Sequence, residues 1–245
     1  MSKLGLQTCI CYSTPPNALS FCGPDWNNIK DYRKANIVDV SVKNHLTQYQ
    51  TLFSYLSYIA NESNIPDQFD LMVVKAYWIG NNLLHKLDLN RFYYHLKDTL
   101  NLKKKLTKPE LELLFGKLPK GALPNHSFHV LNVPWRTGHL PIEHTLDTMD
   151  QCRISWGKVI KVKRTKLEVV SPRLEYDAVV LKLSEPKKHI VSYGSDDVKA
   201  GDWVSFHWGM LCEKLTDIDV RNLVYYTNLA IKLANEDIRT REHFS

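Results

Sequence analysis

No apolar stretch in this 245-residue chain approaches the roughly 18 residues of a membrane-crossing helix, and the opening Met1 to Thr8 lacks the apolar core of a secretory signal. A cytoplasmic protein with no membrane partner is expected. A disulfide framework is missing too: five cysteines, an odd number, in a chain without an export signal read as reduced thiols. Charge of one sign is scarce. The 32 basic and 26 acidic residues leave a formal charge of +6, and the one strong run, Lys103-Lys104-Lys105, reads as a solvated helix end. A glycine-rich nucleotide loop and a Ser-His-Asp signature are also absent.

What remains is an ordinary globular composition, 44% hydrophobic and 24% charged, in a chain long enough for one large or two modest domains. Residues 1 to about 35 carry turn signals in Pro15-Pro16-Asn17 and Cys22-Gly23-Pro24-Asp25, which predicts an irregular opening segment. From Val42 onward Leu46, Tyr49, Phe53, Leu56 and Ile59-Ala60 recur at helical steps. Further helices are expected over Asp67 to Leu84, over Asn90 to Leu102 with Asn90 as cap, and after Thr107, where Pro109 suits a first turn. Asn125 to Val133 and Ile142 to about Met149 complete a mainly helical region, 1–148. After Cys152 the pattern turns to strands over Trp156 to Val162, Lys166 to Val170, Tyr176 to Leu183 and Trp203 to Trp208, followed by a helix over Asp217 to Ala234. The expected fold is α+β: helical domain 1–148, a small β-barrel with a terminal helix over 149–236, and a tail, 237–245.

Two groups of metal-ligating residue types stand out. His126, His129, His139 and His144 lie within nineteen residues just before Cys152. His126 and His129 are three apart, so on a helix both rings would face one side and could converge on one ion. Their spacing matches no common zinc pattern, and the bland reading is imidazoles satisfied by backbone carbonyls. Cys9 and Cys11 alternate as on a strand, with Cys22 eleven further on; three thiols could hold a metal, yet they reproduce no zinc or iron–sulfur spacing and read as ordinary buried cysteines.

The most specific signal is an ordered pair of motifs. Cys152, four residues, then Gly157-Lys158-Val159 is followed about fifty residues on by Gly201-Asp202-Trp203-Val204, His207 and Gly209, with Glu213-Lys214-Leu215 beyond. Together they resemble the small nickel–iron hydrogenase maturation chaperones of the HypC/HupF family over roughly residues 149–236. The resemblance implies an OB-like barrel and a role in carrying or docking the iron fragment of the hydrogenase active site, Fe(CN)2CO. It implies Cys152 and His207 as the residues tied to that cargo, and a hydrogenase large-subunit precursor and other maturation proteins as partners. Thiolate and imidazole suit low-spin iron, and Arg153 and Lys158 are near enough in sequence to favour the thiolate. Cys152 differs from the family's cysteine in having about 150 residues ahead of it rather than a chain end, so its access to a partner rests on Asp147 to Gln151 forming an exposed connection. Two other classes stay open: a helical-domain enzyme that makes or transfers a diatomic ligand onto the iron, and an OB-like binder of single-stranded nucleic acid, which the placing of many aromatics in helix cores disfavours.

Overall fold

The computed structural model describes residues 2–24, 28–135, 143–194 and 197–242. Up to Cys152 its regular elements are helical: α1 (Lys3–Ala18), α2 (Asn28–Ala35), α3 (Val40–Leu46), α4 (Gln50–Glu62), α5 (Leu71–Trp78), α6 (Leu89–Tyr94), α7 (Lys108–Gly116), α8 (His126–Asn132) and α9 (Leu146–Cys152), with short 3-10 and π turns between α5 and α7. The strands β1 (Ser155–Lys163), β2 (Lys166–Ser171), β3 (Leu174–Tyr176), β4 (Leu181–Leu183), β5 (Lys187–Ser192), β6 (Trp203–His207) and β7 (Met210–Lys214) follow, and α10 (Asp217–Glu242) ends the described chain. The class is α+β, with a helical N-terminal part, a small barrel and a C-terminal helix.

Five strands close the barrel in the order β1-β2-β5-β7-β6, antiparallel except where β5 meets β7 at Ser192 and Met210. Gly157 lies where β1 crosses β2, and a side chain there would collide with Val169 and the Val170 carbonyl, which gives the glycine of the Gly-Lys-Val motif a packing reason. Val159, Leu167, Val169, Val191, Val204, Phe206 and Leu211 fill the interior. The largest apolar cluster spans the helices and also takes in Ile154, Trp156, Cys212, Leu223, Tyr226 and Leu233, so one core runs continuously across position 148.

Several elements depart from the sequence reading. The opening segment is a helix, not irregular: the Ser2 hydroxyl accepts from the Gly5 amide as its cap, and Pro15 and Pro16 are absorbed near its C-terminus. Cys9 and Cys11 therefore lie on a helix rather than a strand. The expected helix from Asp67 shortens to α5 because Asp70 caps it and Gly80, at φ 95°, turns the chain out. Asp88, not Asn90, caps α6, and Asn101, in the left-handed region at φ 57°, stops the helical run. The long periodic stretch from Val42 divides at Thr47–Tyr49 into α3 and α4. The Thr107 start is as read, with Glu110 closing a capping box, as are α8 between Asn125 and Val133 and the start of α10 at Asp217. Among the strands, Tyr176 to Leu183 spans the end of β3, the turn and β4 of a separate hairpin, while β5 and β7 were not foreseen because Lys187-Lys188-His189 and Glu213-Lys214 dilute their apolar pattern. The terminal helix runs eight residues past Ala234, into the expected tail as far as Glu242.

His95 opens the π turn after α6, 4% exposed, and stacks on Tyr58 with ring centroids 4.8 Å apart. Burial pushes its imidazole down from 6.5 to about 4, so the folded state refuses a proton that the unfolded chain accepts. Its contribution is whole above pH 6.5 and lost as pH falls through about 4. His95→Phe is expected to flatten the acid limb of a urea-unfolding series by about 3 kcal/mol between those pH values.

Candidate metal centre

Three elements converge from different parts of the chain. The first is α8, whose cap Asn125 accepts from the Ser127 amide and donates to the carbonyls of Ala76 (3.2 Å) and Tyr77 (3.0 Å), bolting the start of α8 to the end of α5. His126, its first residue, thereby stands at the end of α5. The second is α9, which carries Cys152 as its last residue. It is held by Asp150, whose Oδ1 accepts from Arg153 Nε (2.9 Å) and from the Leu174 amide (2.8 Å). The third is the end of β6, where His207 precedes the turn Trp208-Gly209, and the Trp208 amide donates to the Gln151 carbonyl at 3.0 Å.

His126, Cys152 and His207 offer ligand atoms that all lie within 4.8 Å of one another. Among the described residues this is the one group of three or more His, Cys, Asp or Glu side chains gathered closely enough to hold a metal. His207 is 1% exposed, His126 6%, and Cys152 is half-buried. They line a cavity of about 60 Å³ together with His129, Cys22, Tyr49, Tyr77, Trp78 and Trp208.

The tautomers follow from the partners. His207 Nδ1 lies 2.9 Å from the Tyr12 carbonyl, which can only accept, so Nδ1 carries the proton and Nε2 the lone pair. That carbonyl is available because of a proline. Pro16 has no N–H to return to Tyr12 four residues back, and His207 takes the orphaned oxygen; Pro15 does the same for the Cys11 carbonyl, which accepts from Arg33 Nη1. His126 Nε2 donates to the Cys152 carbonyl at 2.9 Å, which leaves its Nδ1 lone pair facing the Tyr77 hydroxyl at 3.2 Å. The phenols of Tyr49, Tyr55 and Tyr77 are all pushed up by burial and stay protonated.

The expected residues thus part company. Cys152 and His207 are brought together, as the two motifs implied, and His126 joins them. His129 does not converge with His126 on one ion: it lines the same cavity, but its Nδ1 faces the Tyr55 hydroxyl at 3.1 Å. His144 is exposed and apart from the group, and His139 lies outside the described residues. Of the N-terminal thiols, Cys9 is buried and pushed up to about 12 by desolvation, Cys11 is half-buried, and Cys22 lines the cavity; they do not form a three-thiol site. Arg153 spends its charge on Asp150 and the Pro172 carbonyl, and Lys158 lies over the Trp203 ring. Asp147 to Gln151 is helix, not an exposed connection.

Over residues 1–241 the chain matches the family of unknown function DUF6390. It belongs to the DUF6390 family. No curated protein and no solved structure matches it. The DUF6390 match runs through the helices, the barrel and most of α10 alike, so the family region contains all three residues of the cluster.

Sequence reading missed Tyr12, Pro16, Tyr77 and Trp78, which position the histidines. Trp78 lies against both rings, with centroids 4.6 Å from His126 and 5.8 Å from His207. Two adjacent prolines ending an otherwise helix-compatible run were the available signal. Pro16→Ala restores an N–H that competes for the Tyr12 carbonyl. It is expected to raise the minor tautomer of His207 by roughly fivefold, the worth of about 1 kcal/mol, read from imidazole nitrogen shifts by NMR.

Proposed function

We propose that this protein holds one transition-metal fragment through Cys152, His207 and His126 and passes it to an assembly partner. The observation that carries the reading is the convergence of one thiol and two imidazoles, from α9, β6 and α8, on a small cavity. A thiolate with two imidazoles is a borderline-soft donor set suited to iron, cobalt or zinc, and three protein ligands leave coordination positions open, as a carrier needs. His207 has the orientation that a hydrogen-bonded ligand histidine requires: Nδ1 is anchored on a carbonyl and Nε2 keeps its lone pair. His126 would contribute Nδ1 by exchanging its contact with Tyr77.

The resemblance of residues 149–236 to the HypC/HupF chaperones narrows the cargo to Fe(CN)2CO and the partners to a hydrogenase large-subunit precursor and other hydrogenase maturation proteins. The cavity supports this in size. At about 15 Å³ per water on the same measure, 60 Å³ is of the order of a few diatomic ligands around a metal. What the longer chain adds is a third donor, His126, from the helical part, and an enclosing wall.

Expression with hydrogenase maturation proteins and anaerobic purification test the reading. Wild type is expected to carry iron with infrared bands of metal-bound cyanide and carbon monoxide. Cys152→Ala should lose both, and His207→Ala should retain less than about a tenth, since each removes a ligand. Wild-type protein that carries no metal and captures no large-subunit precursor overturns it.

A further inference from the structure

The cavity wall holds two donors with no use in the fold. The Tyr49 hydroxyl and the Trp208 Nε1–H are buried and have no hydrogen-bond partner. Tyr49 is 2% exposed and stands at the start of α4, with its ring pinned by the chain at Gly23, where any side chain would overlap it. Trp208 occupies the left-handed region at φ 50°, an unfavourable conformation for so bulky a residue, and packs its ring on Phe21 with centroids 4.5 Å apart. A phenylalanine would serve either packing role without stranding a buried donor. Two further donors on the wall, the Ser13 hydroxyl and the Trp78 indole, lie against the Cys9 thiol.

Charge supplies the second argument. A divalent metal with one thiolate and two neutral imidazoles keeps one positive charge. Among the described residues no Asp or Glu lines the cavity, so no carboxylate among them neutralises it. A small anion on an open coordination position balances the charge, and its outer atom accepts hydrogen bonds. A water in that position presents O–H groups outward, which a donor-only indole cannot meet.

Resting on the metal-binding reading, we infer that Tyr49 and Trp208 form a receptor for a small anion bound end-on to the metal, selecting an anion-bearing metal fragment over an aqua ion. The pair acts on the metal's other ligand and leaves the metal's own protein ligands untouched.

The test uses full-length protein loaded with cobalt(II), whose thiolate charge-transfer band reports the site, titrated with azide and followed in the visible and in the azide infrared stretch. Tyr49→Phe removes one oxygen and keeps the ring; Trp208→Phe is the second variant, with a thermal melt to check folding. Each is expected to weaken azide binding about tenfold and shift the stretch, with cobalt affinity unchanged. Azide that binds the folded variants as tightly as wild type, or does not bind cobalt-loaded wild type at all, overturns the inference. A wild type that shows no thiolate–cobalt band, or one that persists in Cys152→Ala, overturns the metal-binding reading itself.

Discussion

The hydrogen bond from His207 Nδ1 to the Tyr12 carbonyl ties the candidate centre to the fold. It exists because a helix carries a proline where an N–H would otherwise close an intrahelical bond. A buried carbonyl left unpaired costs free energy, and the nearest remedy is an imidazole on the barrel. One interaction thus satisfies α1, docks the helical part on β6 and sets the tautomer in which His207 offers Nε2. The neighbouring grip is the Tyr12 hydroxyl, which donates to Glu213 at 2.7 Å and lies 2.9 Å from the Ser205 hydroxyl. Burial raises the Glu213 carboxyl, which favours a protonated or hydrogen-bonded state of that group over a bare charge.

Each of the three candidate ligands is held by secondary structure that would exist without a metal. Asn125 fastens α8 to α5, Asp150 fastens α9 to β3, and the Trp208 amide fastens the β6–β7 turn to α9. Preorganisation of this kind lowers the ordering cost of binding. Among the described residues the cavity they frame is walled by aromatics, histidines and thiols, with no Asp or Glu.

Two of the three candidate ligands, Cys152 and His207, were singled out in the chain by the resemblance of their motifs to the HypC/HupF family. Cys152 just before the strand that carries Gly157, and His207 at the end of the strand after Gly201-Asp202, are placed by elements whose alternation is written in the residues. His126 was visible only as one of four histidines. Its selection over His129 depends on which side of α8 faces the barrel, a matter of packing between segments far apart in sequence. The N-terminal helix was misread because prolines and small polar residues signal turns locally, while tertiary partners for the freed carbonyls decide otherwise.

By itself the sequence determined the class of fold, a helical part followed by a barrel and a final helix. That class depends on periodicity, which is local, whereas Cys152 and His207 were singled out by a motif resemblance. Only the tertiary structure decided that the helical part and the barrel share one core, that His126 joins Cys152 and His207, and that Tyr49 and Trp208 wall their cavity. Those outcomes depend on long-range burial and on the pairing of backbone groups, for which no short stretch of residues carries the information.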